Sequence, residues 1–384
     1  MSKPSLFDIG KTFFKLGITC WGGPAIVAQI QKEVVDKKKW ISDEEFKTSL
    51  GFCQMFPGPL AVQTSAHLGY RLKGVAGSIT AFATYIFPTF AFMLLFSFIY
   101  FKYQKVPSFI KLFKYLDAVI VAILIDAIWS MRKITEQNFN AMLLIVLAFA
   151  CFMLNISVVL VLFLAGLCGV IFFRKGESAK GFSIPPLKLV LKRERFPLVF
   201  LFLMIFSFVF LLNYYPQLGE LGLRMAKVNL LAFGGGYTAV ALMFQESVLL
   251  TKWLTEKEFI NGLVLGQITP GPVTITATFI GYKIGGFQGA IIATLSVLLP
   301  SYLIILFLLP FFNEISSFPF LKSFTSGLIC AFMGMLFQLL VHLSLEGIIN
   351  IFSIVIIIVS VVMLRFKISP IYLVFFSLVL SYLL

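Results

Sequence analysis

The sequence predicts an all-α polytopic membrane protein built from two homologous repeats with broken helices, and three observations carry that prediction. The first is composition: 59% of the 384 residues are hydrophobic, 12% are charged and the mean hydropathy is +0.98. Soluble domains carry about twice that charged share. The second is a Pro-Gly-Pro triplet inside an apolar segment, at Pro57-Gly58-Pro59 and again at Pro270-Gly271-Pro272. The third is that the surroundings of the triplets match each other in register along most of the chain.

That register is long. At an offset of 213, Gly22, Gly23, Ala28, Glu33, Trp40, Glu45, Phe46, Leu50 and Gln54 fall on Gly235, Gly236, Ala241, Glu246, Trp253, Glu258, Phe259, Leu263 and Gln267. After one deletion the offset is 212, pairing Gly69, Tyr70, Gly77 and Pro88 with Gly281, Tyr282, Gly289 and Pro300. Arg71 then falls on Lys283, a basic residue in both copies. This is an internal duplication. The first copy spans 1–173 and the second 222–384, with a basic linker at 174–195 and an unpaired span and short loop at 196–221.

Taken in order, Met1–Lys15 is a basic amphipathic lead-in. Its Gly10-Lys11-Thr12 lacks the earlier glycine and the preceding strand of a phosphate-binding loop. No cleavable signal pattern follows. The first span, near Phe13–Ile30, is interrupted by Trp21-Gly22-Gly23-Pro24. Ser42 and Glu45 form a capping-box pattern, so a helix restarts there. It runs into the Pro57-Gly58-Pro59 break and resumes to about Tyr70. Four apolar spans follow near 77–101, 115–131, 140–154 and 156–173.

The linker carries Pro185-Pro186 and seven Lys or Arg residues between Arg174 and Arg195, and reads as cytoplasmic by the positive-inside rule. Counting each triplet segment as a span gives six per copy, hence about thirteen segments with the unpaired one. The copies then enter from opposite sides, N-terminus inside and C-terminus outside, the inverted-repeat pattern of secondary transporters. Lys37-Lys38-Lys39 would fall outside in this count, and inside if the triplet segments are re-entrant.

The breaks are the candidate binding elements. Proline lacks an amide proton and clashes with the preceding turn, and the residue before it leaves helical geometry. A helix restarting at the second proline aims bare amide protons and its positive dipole end into the gap. Inside a bilayer such a gap survives only when buried in protein or lining a cavity. Gln54 and Gln267 stand three positions ahead of their triplets and can donate amide protons to an oxyanion. Thr269, Thr274, Thr276 and Thr278 add hydroxyls. Charged candidates for gating or coupling are Glu33 and Glu246 beside Trp40 and Trp253, Arg71 and Lys283 beyond the breaks, and the intramembrane acids Asp117 and Asp126. These features point to a secondary transporter for an anion.

Other classes fit poorly. The net charge of +14 sits in short loops, which suits topology and anionic lipid rather than nucleic acid. Five scattered cysteines and two histidines form no metal-like grouping, so no metal or cofactor is expected. An enzyme would need a nucleophile or acid/base pair that recurs at membrane depth, and none does. A channel is not excluded by inverted repeats, although discontinuous helices favour alternating access.

Gly-Gly-Pro, then Glu and Trp, then Gln-x-x-Pro-Gly-Pro and Gly-Tyr, twice, resembles the chromate ion transporter family in its long two-repeat form. Phe233-Gly-Gly-Gly-Tyr237 with Thr269-Pro-Gly-Pro272 is the most specific mark, and the likeness covers nearly the whole chain. The resemblance implies chromate efflux across the plasma membrane, conferring chromate resistance, with sulfate as a competing oxyanion. The expected substrate site, read from the helix breaks and their polar flanks, is Gly22, Gly23, Pro24, Gln54, Pro57, Gly58, Pro59, Gly235, Gly236, Gln267, Thr269, Pro270, Gly271 and Pro272. The expected partners are the oxyanion and the lipid bilayer, with a homodimer left open and no nucleic acid. The copies differ where Pro24 faces Tyr237, so their roles need not be equal.

Overall fold

In the computed structural model, residues 4–21, 23–107, 111, 113–132, 139–173, 195–309, 319–347, 351–366 and 368–383 are described. Gly22 and all of the basic linker except Arg195 lie outside the described residues. Within them the chain forms fifteen α-helices and no strand. The first copy contributes α1 (Leu6–Thr19), α2 (Gly23–Gln31), α3 (Asp43–Cys53), α4 (Leu60–Tyr103), α5 (Leu116–Ser130), α6 (Phe139–Met153) and α7 (Val158–Phe173). The unpaired helix is α8 (Arg195–Tyr214). The second copy contributes α9 (Pro216–Leu231), α10 (Gly236–Phe244), α11 (Glu256–Ile268), α12 (Thr276–Leu308), α13 (Pro319–Gly347), α14 (Ile351–Arg365) and α15 (Pro370–Leu383). Among the described residues, three stretches are long and apolar enough to cross a membrane by length and composition: Leu60–Tyr103, Val273–Leu308 and Ser323–Leu345.

The duplication reappears as matched local geometry. Helices α2 and α10 each run into a six-residue π-helical turn, Lys32–Lys37 and Gln245–Leu250, at the same offset of 213. Helices α3 and α11 both start at a capped N-terminus, where Ser42 and Thr255 accept the amides of Glu45 and Glu258. Only the second is a full capping box. In the first, the Glu45 carboxylate is engaged by Arg71.

Helices α4 and α12 are not straight rods. Non-helical backbone at Lys73-Gly74 and at Gly285-Gly286 folds each back on itself, with φ of +62° at Gly74 and +57° at Gly286. The small residues at the fold permit close approach: a Cβ on Gly69 would run into the Gly77 carbonyl, and one on Gly281 into that of Gly289. Eight residues of straight helix span about 12 Å, so this contact requires a sharp reversal.

The Pro-Gly-Pro segments, counted above among the spans, therefore need correction. Arg71 bonds Glu45 at 2.6 Å, and Lys283 bonds Glu258 at 2.6 Å. The start of the helix before each triplet thus meets the end of the helical arm after it. Each arm is about 16–20 Å long, roughly half to two thirds of a hydrocarbon core. Both segments are helical hairpins with the triplet at the tip. The helices around Trp21 and around Gly234 fold the same way: Lys15 on α1 reaches Glu33 beyond α2 at 3.2 Å, and Lys227 on α9 reaches Glu246 beyond α10 at 2.5 Å.

The copies interlock through the long arms of α4 and α12. Phe82 packs on Tyr302 with ring centroids 4.3 Å apart, and Phe101 stacks at 5.8 Å on Tyr282, just ahead of the reversal that opens the long arm of α12. The arms are therefore antiparallel.

Candidate functional site

All four helix breaks meet in the interior. The backbone N–H of Gly58 donates to the Ala232 carbonyl at 2.8 Å, just ahead of the Gly234–Gly236 break. In mirrored fashion, Gly271 donates to the Cys20 carbonyl at 2.8 Å, just ahead of the first copy's break. The Trp21 indole N–H donates to the Ile268 carbonyl at 2.9 Å. Each copy's triplet is thus tied to the other copy's glycine-rich break, and both triplets are buried.

The glycines are required there. Gly58 and Gly271 hold φ of +112° and +107°, conformations that L side chains rarely adopt. A Cβ on Gly58 would lie 2.5 Å from the Ser301 hydroxyl oxygen, and one on Gly271 would lie 2.5 Å from that of Thr89. Thr89 and Ser301 follow the mid-helix prolines Pro88 and Pro300 and correspond at the 212 offset. Around Pro300 the helix ladder is repaired by Asn229. Its Nδ2 donates to the Val297 carbonyl at 2.6 Å and its Oδ1 accepts from the Ser301 amide at 2.7 Å. Asn229 is not singled out by the sequence pattern.

The second copy's tip has the features of an anion site. Gly236 opens α10, and a Cβ on it would have the Val273 Cβ as its nearest neighbour at 3.8 Å, so the N-termini of α10 and of the arm after Pro272 lie side by side. A Cβ on Gly235 would meet nothing within 4 Å, which marks open space at that break. Gln267 is 4% exposed and its Nε2 has no partner. The Thr274 hydroxyl is likewise buried and unspent. The other threonines are occupied: Thr269 donates to Leu265 at 2.8 Å, Thr276 to Val273 at 2.9 Å, and Thr278 pairs with Thr294 at 2.7 Å. They satisfy backbone and one another, as polar residues in broken membrane helices do.

The first copy's tip differs. Gln54, the register partner of Gln267, is exposed. Its place beside the triplet is taken by Gln63, which periodicity did not single out. Gln63 is fully buried, donates its Nε2 to the Pro57 carbonyl and leaves its Oε1 without a partner. One tip therefore presents a spare donor and the other a spare acceptor. Gly23 and Pro24 lie in the first turn of α2.

Glu33, Glu246, Arg71 and Lys283 lie at the hairpin mouths, away from the tips. Buried Glu33 bonds Lys15 at 3.2 Å and Lys37 at 3.0 Å. Buried Glu246 bonds Arg224 at 2.6 Å and Lys227 at 2.5 Å. Arg71 and Lys283 sit at the hairpin mouths in the ion pairs described above. Asp117 is buried in the first turn of α5, where the helix dipole favours a carboxylate. Asp126 pairs with Arg365 at 3.6 Å.

Comparison with known proteins fits this architecture. The chromate transporter family profile matches residues 7–170 and again 219–382. The chain belongs to the chromate transporter family. The start of the second match lies 212 positions after the start of the first, the offset read from the sequence. Among its relatives, an uncharacterized transporter of Methanocaldococcus jannaschii is 32% identical over 387 residues, covering 100% of this chain and 95% of that protein. A chromate transport protein of Cupriavidus metallidurans is 28% identical over 364 residues, 92% of this chain and 87% of the relative. A chromate transport protein of Pseudomonas aeruginosa is 30% identical over 317 residues, 79% and 71% of the two chains. No solved structure matches. As a chromate transporter family member, the chain is a membrane protein of a transporter family.

Proposed function

We propose that this protein is a secondary transporter that carries chromate, or a similar tetrahedral oxyanion such as sulfate, out across the plasma membrane. The observation that supports the reading is the second tip, where two helix N-termini lie side by side next to the open space at Gly235 and the Gln267 amide and the Thr274 hydroxyl are buried without partners. Bare amide protons and helix dipoles favour an anion. The donors are neutral, so a dianion can be held without the tight grip of a buried lysine.

The topology that supports alternating access is inverted repeats with four re-entrant hairpins and about nine through-crossing helices. Arg71 lies at the start of the long arm of α4, whereas Lys283 lies over Phe101 near its far end, with Nζ 5.4 Å from the ring centroid. The hairpin mouths of the two copies thus occupy opposite ends of one long arm. The same arrangement puts the lysines at 37–39 on the side of Arg71 and Lys73, which removes their conflict with the positive-inside rule.

Energetics favour efflux. A dianion leaving a negative interior gains about 4.6 kcal/mol per 100 mV, roughly a thousandfold gradient, without ATP. The test is flux from chromate- or sulfate-loaded proteoliposomes under imposed voltage and pH gradients. Saturable, voltage-driven chromate flux is expected. Flux that does not saturate would identify a channel, and an absence of flux for both anions would remove the oxyanion reading.

A further inference from the structure

The first tip holds a buried acceptor where the second holds a buried donor. Gln63, in the first turn of α4, is fully buried, and its Nε2 donates to the Pro57 carbonyl. A carbonyl only accepts, so this bond fixes which way the amide faces. Its Oε1 is the end turned away from Pro57, and it has no partner among the described residues. The Ser301 hydroxyl flanks the same glycine, Gly58, but is already engaged. It donates to the Leu298 carbonyl at 3.2 Å and accepts from the Asn229 amide at 3.0 Å. A buried acceptor left unmet is costly, and such groups are few in folded proteins.

Both tips border one break. Gly58 donates to the Ala232 carbonyl at 2.8 Å, and Gly236, four residues on, lies beside Val273 of the second tip. Between them, Gly235 faces open space. Four residues of extended chain reach at most about 14 Å, so the two tips flank one small region. The N-terminus of α4 gives the first tip a preference for negative charge. Its Gln63 Oε1 calls instead for a proton donor, and a bare dianion would set only lone pairs against it. An anion that carries an O–H satisfies both.

We propose that Gln63 Oε1 accepts the O–H of a hydrogen oxyanion, so that the first tip selects hydrogen chromate over oxyanions with no proton to give. This rests on the oxyanion reading of the second tip and adds a selection that donors alone do not make. Chromate is basic enough to take up a proton near neutral pH, whereas sulfate and selenate stay fully deprotonated there. The acceptor that holds hydrogen chromate therefore disfavours sulfate. A monoanion leaving a negative interior still moves down the voltage, with half the gain of the dianion. The titratable side chains around this tip are His67 and Cys53 on its own hairpin, Cys20 ahead of the first break, Tyr302 beside Ser301, and Tyr237 in the first turn of α10. The charged groups of the helices packed here, Lys15, Glu33, Glu45 and Arg71, are paired at the hairpin mouth.

The test is equilibrium binding of dilute chromate and of selenate to the full-length protein in nanodiscs, from slightly acid to mildly alkaline pH. Selenate has the tetrahedral shape without the proton. Chromate affinity should rise as the pH falls, by up to about tenfold per unit while the dianion predominates, and selenate affinity should not follow. Gln63→Met keeps the length of the side chain but offers no amide, and should flatten the chromate profile to that of selenate. A Gln63 that only supports the fold would, when replaced, weaken both anions alike and leave the slope of the chromate profile intact. A slope that survives in Gln63→Met therefore overturns the proposal, as does a flat chromate profile in the wild type. Parallel rises for both anions assign the titration to a protein group such as His67 and also overturn it. The wild-type profiles need no variant, so they decide the matter even if Gln63→Met fails to fold. Wild-type protein that binds neither anion removes the oxyanion reading itself.

Discussion

Gly271 packs against Thr89 across the boundary between the two copies, so closely that a Cβ on the glycine would lie 2.5 Å from the threonine hydroxyl. Its counterpart, Gly58, meets Ser301 in the same way. An alanine at either position adds a clash to a positive-φ backbone, each worth about 1–3 kcal/mol. Gly271→Ala and Gly58→Ala should therefore lower the thermal midpoint in detergent and abolish flux. Combining Gly271→Ala with Thr89→Ala relieves the clash alone and should restore part of the stability. Wild-type stability in the single variants would show that the interlock is looser than these distances describe.

Gln267 and Gln54 share a register but should not share an effect. Gln267 is buried with a spare donor, and losing a hydrogen bond to a charged ligand costs about 1.5–3 kcal/mol, or 10- to 150-fold in affinity. Gln267→Ala should show that loss in chromate competition, and Gln267→Glu a larger one, since it sets a negative charge beside the anion. Gln54→Ala should be near wild type because Gln54 is exposed. Equal losses in the two alanine variants would mean that Gln54 also touches substrate.

The two buried glutamates differ in how far their partners can escape. Lys15 and Lys37 are 56% and 53% exposed, whereas Arg224 and Lys227 are 29% and 40% exposed. Breaking a buried pair strands the remaining charge and costs up to about 3–5 kcal/mol, while exposed partners turn to water at little cost. At Glu246 the stranded cation is Lys227, because Arg224 keeps Glu220 at 2.7 Å. Glu246→Gln should thus destabilise the protein by more than Glu33→Gln in thermal unfolding. The π-helical turns that carry both residues recur at functional sites, so flux should be measured alongside. The reverse order of stability would argue against exposure as the deciding term.

Cysteine labelling tests the proposed topology on a background in which the five native cysteines are replaced. Lys37→Cys and Arg71→Cys should react with an impermeant reagent from the cytoplasmic face, and Lys283→Cys from the opposite face. Labelling of positions 71 and 283 from the same face would indicate parallel repeats.

Membrane class, the duplication and the positions of the breaks were legible in the sequence because they are local properties. Proline and glycine disrupt a helix wherever they stand, and a constant offset needs no coordinates. The tertiary structure decided what each break faces. Whether the arm after Pro59 crosses the bilayer or turns back depends on the reversal at Gly74 and on Arg71 reaching Glu45, a contact between residues 26 positions apart. The asymmetry of the tips has the same origin. Gln54 and Gln267 occupy one register, yet Gln54 caps α3 in an exposed position while Gln267 is enclosed in the last turns of α11. Periodicity places a residue on a helix. Only the packing of the other copy against that helix determines whether its side chain meets protein, lipid or an open gap.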